Sequence, residues 1–122
     1  MIAIPSARGR WLYHVVLRAD WDRENVRASS EGYWPESASR EGFIHASYRD
    51  AVLESARLYF PVGSARLIVR IDPRRLTEPP RVVDTPRGPM PHLHAPVPRS
   101  AIAEVYDAGA LVHAIDGAPD SI

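Results

Sequence analysis

The stretch Gly42-Phe43-Ile44-His45-Ala46-Ser47 decides how this chain is read. It is an apolar run broken by one histidine and, two residues later, by a serine. In a strand alternate residues share a face, so His45 and Ser47 are expected on one side, Ile44 and Ala46 on the other. Such a strand lines a polar cleft with one face and braces a core with the other. A lone strand histidine is as a rule a hydrogen-bonded core residue. What widens the reading is His14 in an earlier strand and a second cluster, Pro91-His92-Leu93-His94.

Outward from that stretch the elements follow in order. Trp11–Leu17 is β-branched, aromatic and nearly continuous in apolarity, which predicts a central strand. Asp20 reads as the N-cap of a short helix that opens on Trp21 and ends before Ser29-Ser30. Residues 29–41 read as a loop rich in aromatics. A helix opens between Ser47 and Asp50, with Ala51, Val52, Ser55, Ala56 and Tyr59 at helical spacing, and ends at Phe60–Gly63. Leu67–Ile71 is a strand stopped by Asp72-Pro73, and Arg81–Asp84 a short one. Thr85–Arg99 carries five prolines and reads as a loop or irregular edge presenting His92 and His94. Ala101–Tyr106 and Leu111–Ala114 read as closing strands around a turn at Asp107-Ala108-Gly109. The fold class is therefore α+β: one domain over residues 1–122, strand-dominated with two or so helices. Its core spans about 11–114, with 1–10 and 116–122 irregular.

Composition narrows the function. At 122 residues, 45% hydrophobic and 25% charged, the chain is ordinary globular material. Fifteen basic and fifteen acidic residues cancel, which argues against nucleic-acid binding through a basic surface. No cysteine is present, so disulfides, thiolate metal ligands and thiol nucleophiles are excluded. The start does not read as a signal peptide, and no apolar run approaches the ~18 residues of a membrane span. A cytoplasmic protein without membrane contact is the expectation. Nothing in the sequence speaks to oligomeric state.

Three chemistries compete for the histidines. His92 and His94, with one strand histidine, have ligand-like spacing for a metal, but there is no His-Glu-x-x-His and no cysteine, so no metal is expected. Ser47 beside His45 suggests a nucleophile, but Gly-x-Ser-x-Gly is absent. The third reading is a cleft in which imidazoles hydrogen-bond a polar, nucleotide-like ligand while Tyr33 or Trp34 stacks on its ring. No glycine-rich phosphate loop is present, so side chains and strand edges would have to hold it.

Tyr13-His14 within Trp11–Val16, the helix start at Trp21, Gly42–Ser47, the Leu-x-Val-x-Ile-Asp-Pro run at 67–73 and Pro91-His92-Leu93 occur together in this order. In this the chain resembles the bacterial domain-of-unknown-function family 952, over about residues 11–106. That family looks like the ADP-ribosyltransferase fold, a split α+β domain whose cleft holds NAD in the enzymes. The resemblance implies NAD as cofactor, with His14, His45, Ser47 and His92 at the positions that match the family; Tyr33 and Trp34, read as stacking rings, and His94, two residues after His92, complete the expected cofactor-binding set. The resemblance also implies a catalytic set of His14, His45 and His92, with cleavage of the nicotinamide–ribose bond. A non-catalytic ligand-binding module on the same fold is the alternative, and a metal-dependent protein using the histidine cluster is the second. His94-Ala95 departs from the Tyr-Gly that usually follows Pro-His-Leu. No glutamate stands where many transferases use one, so Asp84, ahead of Glu104, is the acidic candidate. The sequence thus predicts His14 and His45 on adjacent strands with rings facing one cleft. His92 is predicted at the cleft mouth, and the 29–40 loop borders the cleft, with Tyr33 and Trp34 either closing over it as a lid or packed on the sheet as core.

Overall fold

The computed structural model describes residues 9–26, 32–60, 63–107, 115 and 117–122. Three apolar runs make the first sheet: β1 (Leu12–Leu17), β3 (Arg66–Ile71) and β6 (Ile102–Asp107), all antiparallel with β3 in the middle. The Trp11–Leu17 run, expected to be central, therefore has a full ladder on one side only. Its continuous apolarity has another cause, because both faces of the sheet are covered. Leu12, Val16, Leu67, Val69 and Ile71 point into the larger core. Tyr13, Ile68 and Tyr106 point into a second core with Val52 and Ile115.

The second sheet has the order β2-β5-β4, from β2 (Ile44–His45), β4 (Arg81–Thr85) and β5 (Gly88–Leu93). Here the expectation of a loop or irregular edge over 85–99 is overturned, because His92 lies in β5, paired with both neighbours. Pro89 and Pro91 occupy alternate positions, so both turn their missing N–H toward the same edge. The Pro91 carbonyl accepts from the Ala46 N–H at 3.2 Å. That edge is therefore the one away from β4, and the β4 ladder loses no donor. A tight Pro86-Arg87 turn closes the hairpin, with Thr85 Oγ1 accepting from the Arg87 N–H and donating to the Gly88 carbonyl.

Helix α1 (Arg18–Val26) starts before its expected cap, which leaves Asp20 within the first turn, where a carboxylate suits the helix dipole. Helix α2 (Glu36–Glu41) lies inside the segment read as loop. Five of its six residues are polar and only Ala38 is buried, so no apolar period betrays it. Helix α3 (Val52–Tyr59) buries Val52, Ser55 and Ala56, the i, i+3, i+4 face that the spacing predicts, and no side chain caps it. The second closing strand (111–114) and most of its turn lie outside the described residues.

Residues 117–122, expected to fray, are stitched to the start of β1. The Trp11 N–H donates to Asp120, the Ile122 N–H to Gly9 and the Tyr13 hydroxyl to the Pro119 carbonyl, while Arg10 pairs with Asp120 at 2.8 Å. No helix among the described residues is long and apolar enough to cross a membrane.

Gly32 lets the 32–35 segment dock on Val97. Its φ is +111°, and a Cβ there would sit 2.3 Å from the Val97 carbonyl oxygen, the acceptor of the Tyr33 N–H. Gly42, at φ +88°, caps α2 with open space around it. Urea denaturation should therefore show Gly32→Ala costing ~3 kcal/mol and Gly42→Ala only ~1 kcal/mol. Equal losses would mean that the close approach does not matter.

Candidate functional site

Among the described residues the two sheets meet through one backbone bridge. The Tyr13 N–H donates to the Ser47 carbonyl at 2.8 Å and the Ser47 N–H to the Tyr13 carbonyl at 2.7 Å. Past Tyr13 no strand among the described residues pairs with that side of β1, and the sheets part. The wedge between them is a cavity of about 990 Å³. Its walls are β1 from Tyr13 to Leu17, α1 and α2, His45–Ser47, Ser55 of α3 and the β4–β5 hairpin.

The bridge also sets which side chains meet. Directly opposed residues share a face, so Ser47 lies with Tyr13, and His45, two residues earlier, lies with them. His14 belongs to the other side, with Leu12 and Val16. The expected pair of rings facing one cleft is thus not formed. The His14 side chain is buried with core residues, the residue 6% exposed, and the residue also borders the cavity. Its Nδ1 lies 2.6 Å from the His45 carbonyl and its Nε2 2.8 Å from the Tyr33 hydroxyl. A carbonyl only accepts, so Nδ1 carries the proton and Nε2 accepts from Tyr33. Burial pushes the imidazole down from 6.5 to about 4, only partly opposed by the bond to the His45 carbonyl. Burial likewise raises the Tyr33 hydroxyl well above 10, so the pair stays neutral with both partners satisfied.

Of the two expectations for Tyr33 and Trp34, lid or core, the structure gives core. Tyr33 is buried against Trp21, ring centroids 5.0 Å apart, and exchanges two backbone bonds with Val97. Trp34 packs on the larger core. Neither lines the cavity. Asp84 is exposed on β4 opposite Pro89 and also lies outside it. Glu104 pairs with Arg70 at 3.3 Å on the far edge of the first sheet.

His45, Ser47 and His92 do line the cavity. His45 and His92 face each other across β2 and β5, rings 5.4 Å apart. Phe43 stacks on His92 at 4.1 Å and meets His45 edge-on at 4.5 Å. Partial burial, then the neighbouring His45 and His94, holds the His92 imidazole below its usual value. His94 leans on Phe43 at 5.6 Å but is outside the cavity wall. Among the described residues no group of three histidines or carboxylates is placed to hold a metal.

Ser47 Oγ lies 2.8 Å from Ser55 Oγ, which accepts from Arg87 at 3.0 Å. Arg87 also donates to Glu54 at 2.6 Å. The cavity wall further includes Glu41, 2.7 Å from His45. Arg87 and Glu41 were invisible to sequence reading, because one sits on an unpredicted hairpin tip and the other on an unpredicted helix.

With α+β architecture and this split between two antiparallel sheets, the chain can be compared with known proteins. It belongs to the family described as "Protein of unknown function (DUF952)", whose model matches residues 16–105. Similar in fold is the crystal structure of protein CC0527 from Caulobacter crescentus, with TM-score 0.66 and 23% identity, covering 80% of this chain and 84% of that one. The solution structure of CC0527 gives TM-score 0.56 at 22% identity, covering 80% and 83%. No curated protein matches the chain.

The His14 geometry has a consequence for stability. An imidazole whose folded pKa is depressed favours folding while neutral, so its full contribution is present above pH 6.5. That contribution is lost as pH falls toward about 4. Urea midpoints should record a loss of roughly 3 kcal/mol across that window. Asp72, held below 3.8 mainly by its bond from the Arg74 side chain, loses its contribution only at lower pH. His14→Gln should lower stability at pH 7 and flatten the loss between pH 6.5 and 4. An unchanged slope would show that His14 titrates freely.

Proposed function

We propose that the wedge binds NAD or a related nucleotide, on a fold like that of the ADP-ribosyltransferases. The observation that carries this reading is the open edge of β1. Tyr13 spends both backbone groups on Ser47, so by strand alternation Val15 also turns its N–H and C=O away from β3 and into the cavity. Among the described residues neither group has a partner strand. One donor and one acceptor side by side match a primary carboxamide, whose C=O accepts from the Val15 N–H and whose NH₂ donates to the Val15 C=O. The nicotinamide amide is such a group, bound as a peptide unit added to a strand edge.

Other features support the same class of ligand. The volume, about 990 Å³, is at the upper end for small-molecule sites, about 300–1,000 Å³, and suits a dinucleotide. His92, neutral at pH 7, offers one donor and one acceptor to ribose hydroxyls. Arg87 brings a guanidinium to the hairpin side of the wedge, where phosphates suit it. A binding module without turnover is the second reading, favoured by His14, whose two ring nitrogens are both engaged.

Calorimetry on the full chain with NAD, ADP-ribose and nicotinamide tests the proposal. Binding of NAD and ADP-ribose is expected. His92→Ala should weaken it by about tenfold, or ~1.4 kcal/mol, with the melting temperature nearly unchanged. No heat from any of the three at millimolar concentration ends the nucleotide reading. A large loss of stability in His92→Ala with binding intact marks the residue as structural.

A further inference from the structure

We infer that Glu41 and His45 form a carboxylate–imidazole pair acting as the general base of this cleft, a role that rests on the nucleotide reading above. Glu41 ends α2, and Gly42, at φ +88°, reverses the chain so that His45 returns to it. His45 Nε2 stands 2.7 Å from Glu41 Oε2. The carboxylate beside it favours the tautomer with the proton on that nitrogen, whose lone pair it would otherwise repel. In the neutral ring Nδ1 is then a bare lone pair. Nothing among the described residues hydrogen-bonds it. Phe43 and His92 contact the ring only through their own rings. The His45 side chain is 60% exposed, and both members of the pair line the cavity.

The contrast with His14 is what selects His45. Two imidazoles lie near the seam, and the buried one has both nitrogens engaged while the open one has only one. A carboxylate that sets the tautomer of an imidazole, leaves its other nitrogen free and stabilises the imidazolium is the arrangement of a general base. The step it serves is attack by a hydroxyl, of water or of an alcohol acceptor. His45 Nδ1 takes the hydroxyl proton, and the oxygen bonds to the anomeric carbon of the nicotinamide ribose. The carbon–nitrogen bond breaks with its electron pair going to nicotinamide, which leaves as a neutral pyridine. Glu41 faces the imidazolium so formed.

Three readouts on the full chain test this. Long-range ¹H–¹⁵N NMR reads the His45 tautomer, carbethoxylation mapped by mass spectrometry reads the reactivity of its bare nitrogen, and nicotinamide release reads the step. Wild type should show the proton on Nε2. Glu41→Leu should weaken that preference toward the mixture of a free imidazole, slow carbethoxylation of His45 by about fivefold and slow nicotinamide release by about a hundredfold. NAD affinity by calorimetry should stay within about threefold. Glu41→Gln, whose amide oxygen accepts the same N–H, should keep the tautomer and restore part of the rate. A proton on Nδ1 in wild type overturns the pair. So does release by Glu41→Leu at the wild-type rate, or NAD bound by wild type with no nicotinamide released. If NAD does not bind, the nucleotide reading fails by itself, and carbethoxylation decides the pair. A drop in Glu41→Leu keeps the base, and an unchanged rate removes it.

Discussion

The exchange of two backbone hydrogen bonds between Tyr13 and Ser47 is the constraint on which the rest of the site depends. Among the described residues it ties the sheets at one point and no further, so the β1 edge past Tyr13 has no described strand beside it. An open edge is ordinarily a hazard. Here α1, α2 and the β4–β5 hairpin line the space beside it, and the edge faces an open cleft. The same bridge fixes facing: Ser47 and His45 with Tyr13, His14 with the larger core.

That division assigns the two histidines nearest the seam to different work. His14 holds the seam from the core side, donating to the His45 carbonyl and accepting from Tyr33. It couples β1, β2 and the 32–35 segment through one neutral ring. Leaving such a partner unpaired in the interior costs roughly 1–3 kcal/mol, so all three elements are fixed together. His45, on the other side, keeps its carbonyl in this lattice and its ring in the cleft. Rigidity at the seam and an open imidazole thus belong to the same residue pair.

The remaining wall is held from α3 and the hairpin. Ser47, Ser55 and Arg87 form one hydrogen-bonded line from the seam to the hairpin tip, and Glu54 offsets the guanidinium charge. A shift of the hairpin would break this line, so the cleft width follows from side chains four elements apart in the chain.

Much of this was legible in the residues. The apolar runs of β1, β3 and β6 and the buried face of α3 follow from local periodicity, as does the His45/Ser47 alternation, because each depends only on neighbours two to four residues away. The helix carrying Glu41 has no such period, and Pro89 and Pro91 look like a loop until β4 takes the other edge of β5. Tyr33 and Trp34 read equally well as lid or as core, and Val97, sixty-odd residues later, decides for core. Sequence by itself determined the α+β class, the family likeness and the polar face of the 42–47 strand. Only the tertiary structure decided which histidine is buried and which is open. That choice depends on the register between β1 and Ser47, and a single-residue slip would exchange their faces.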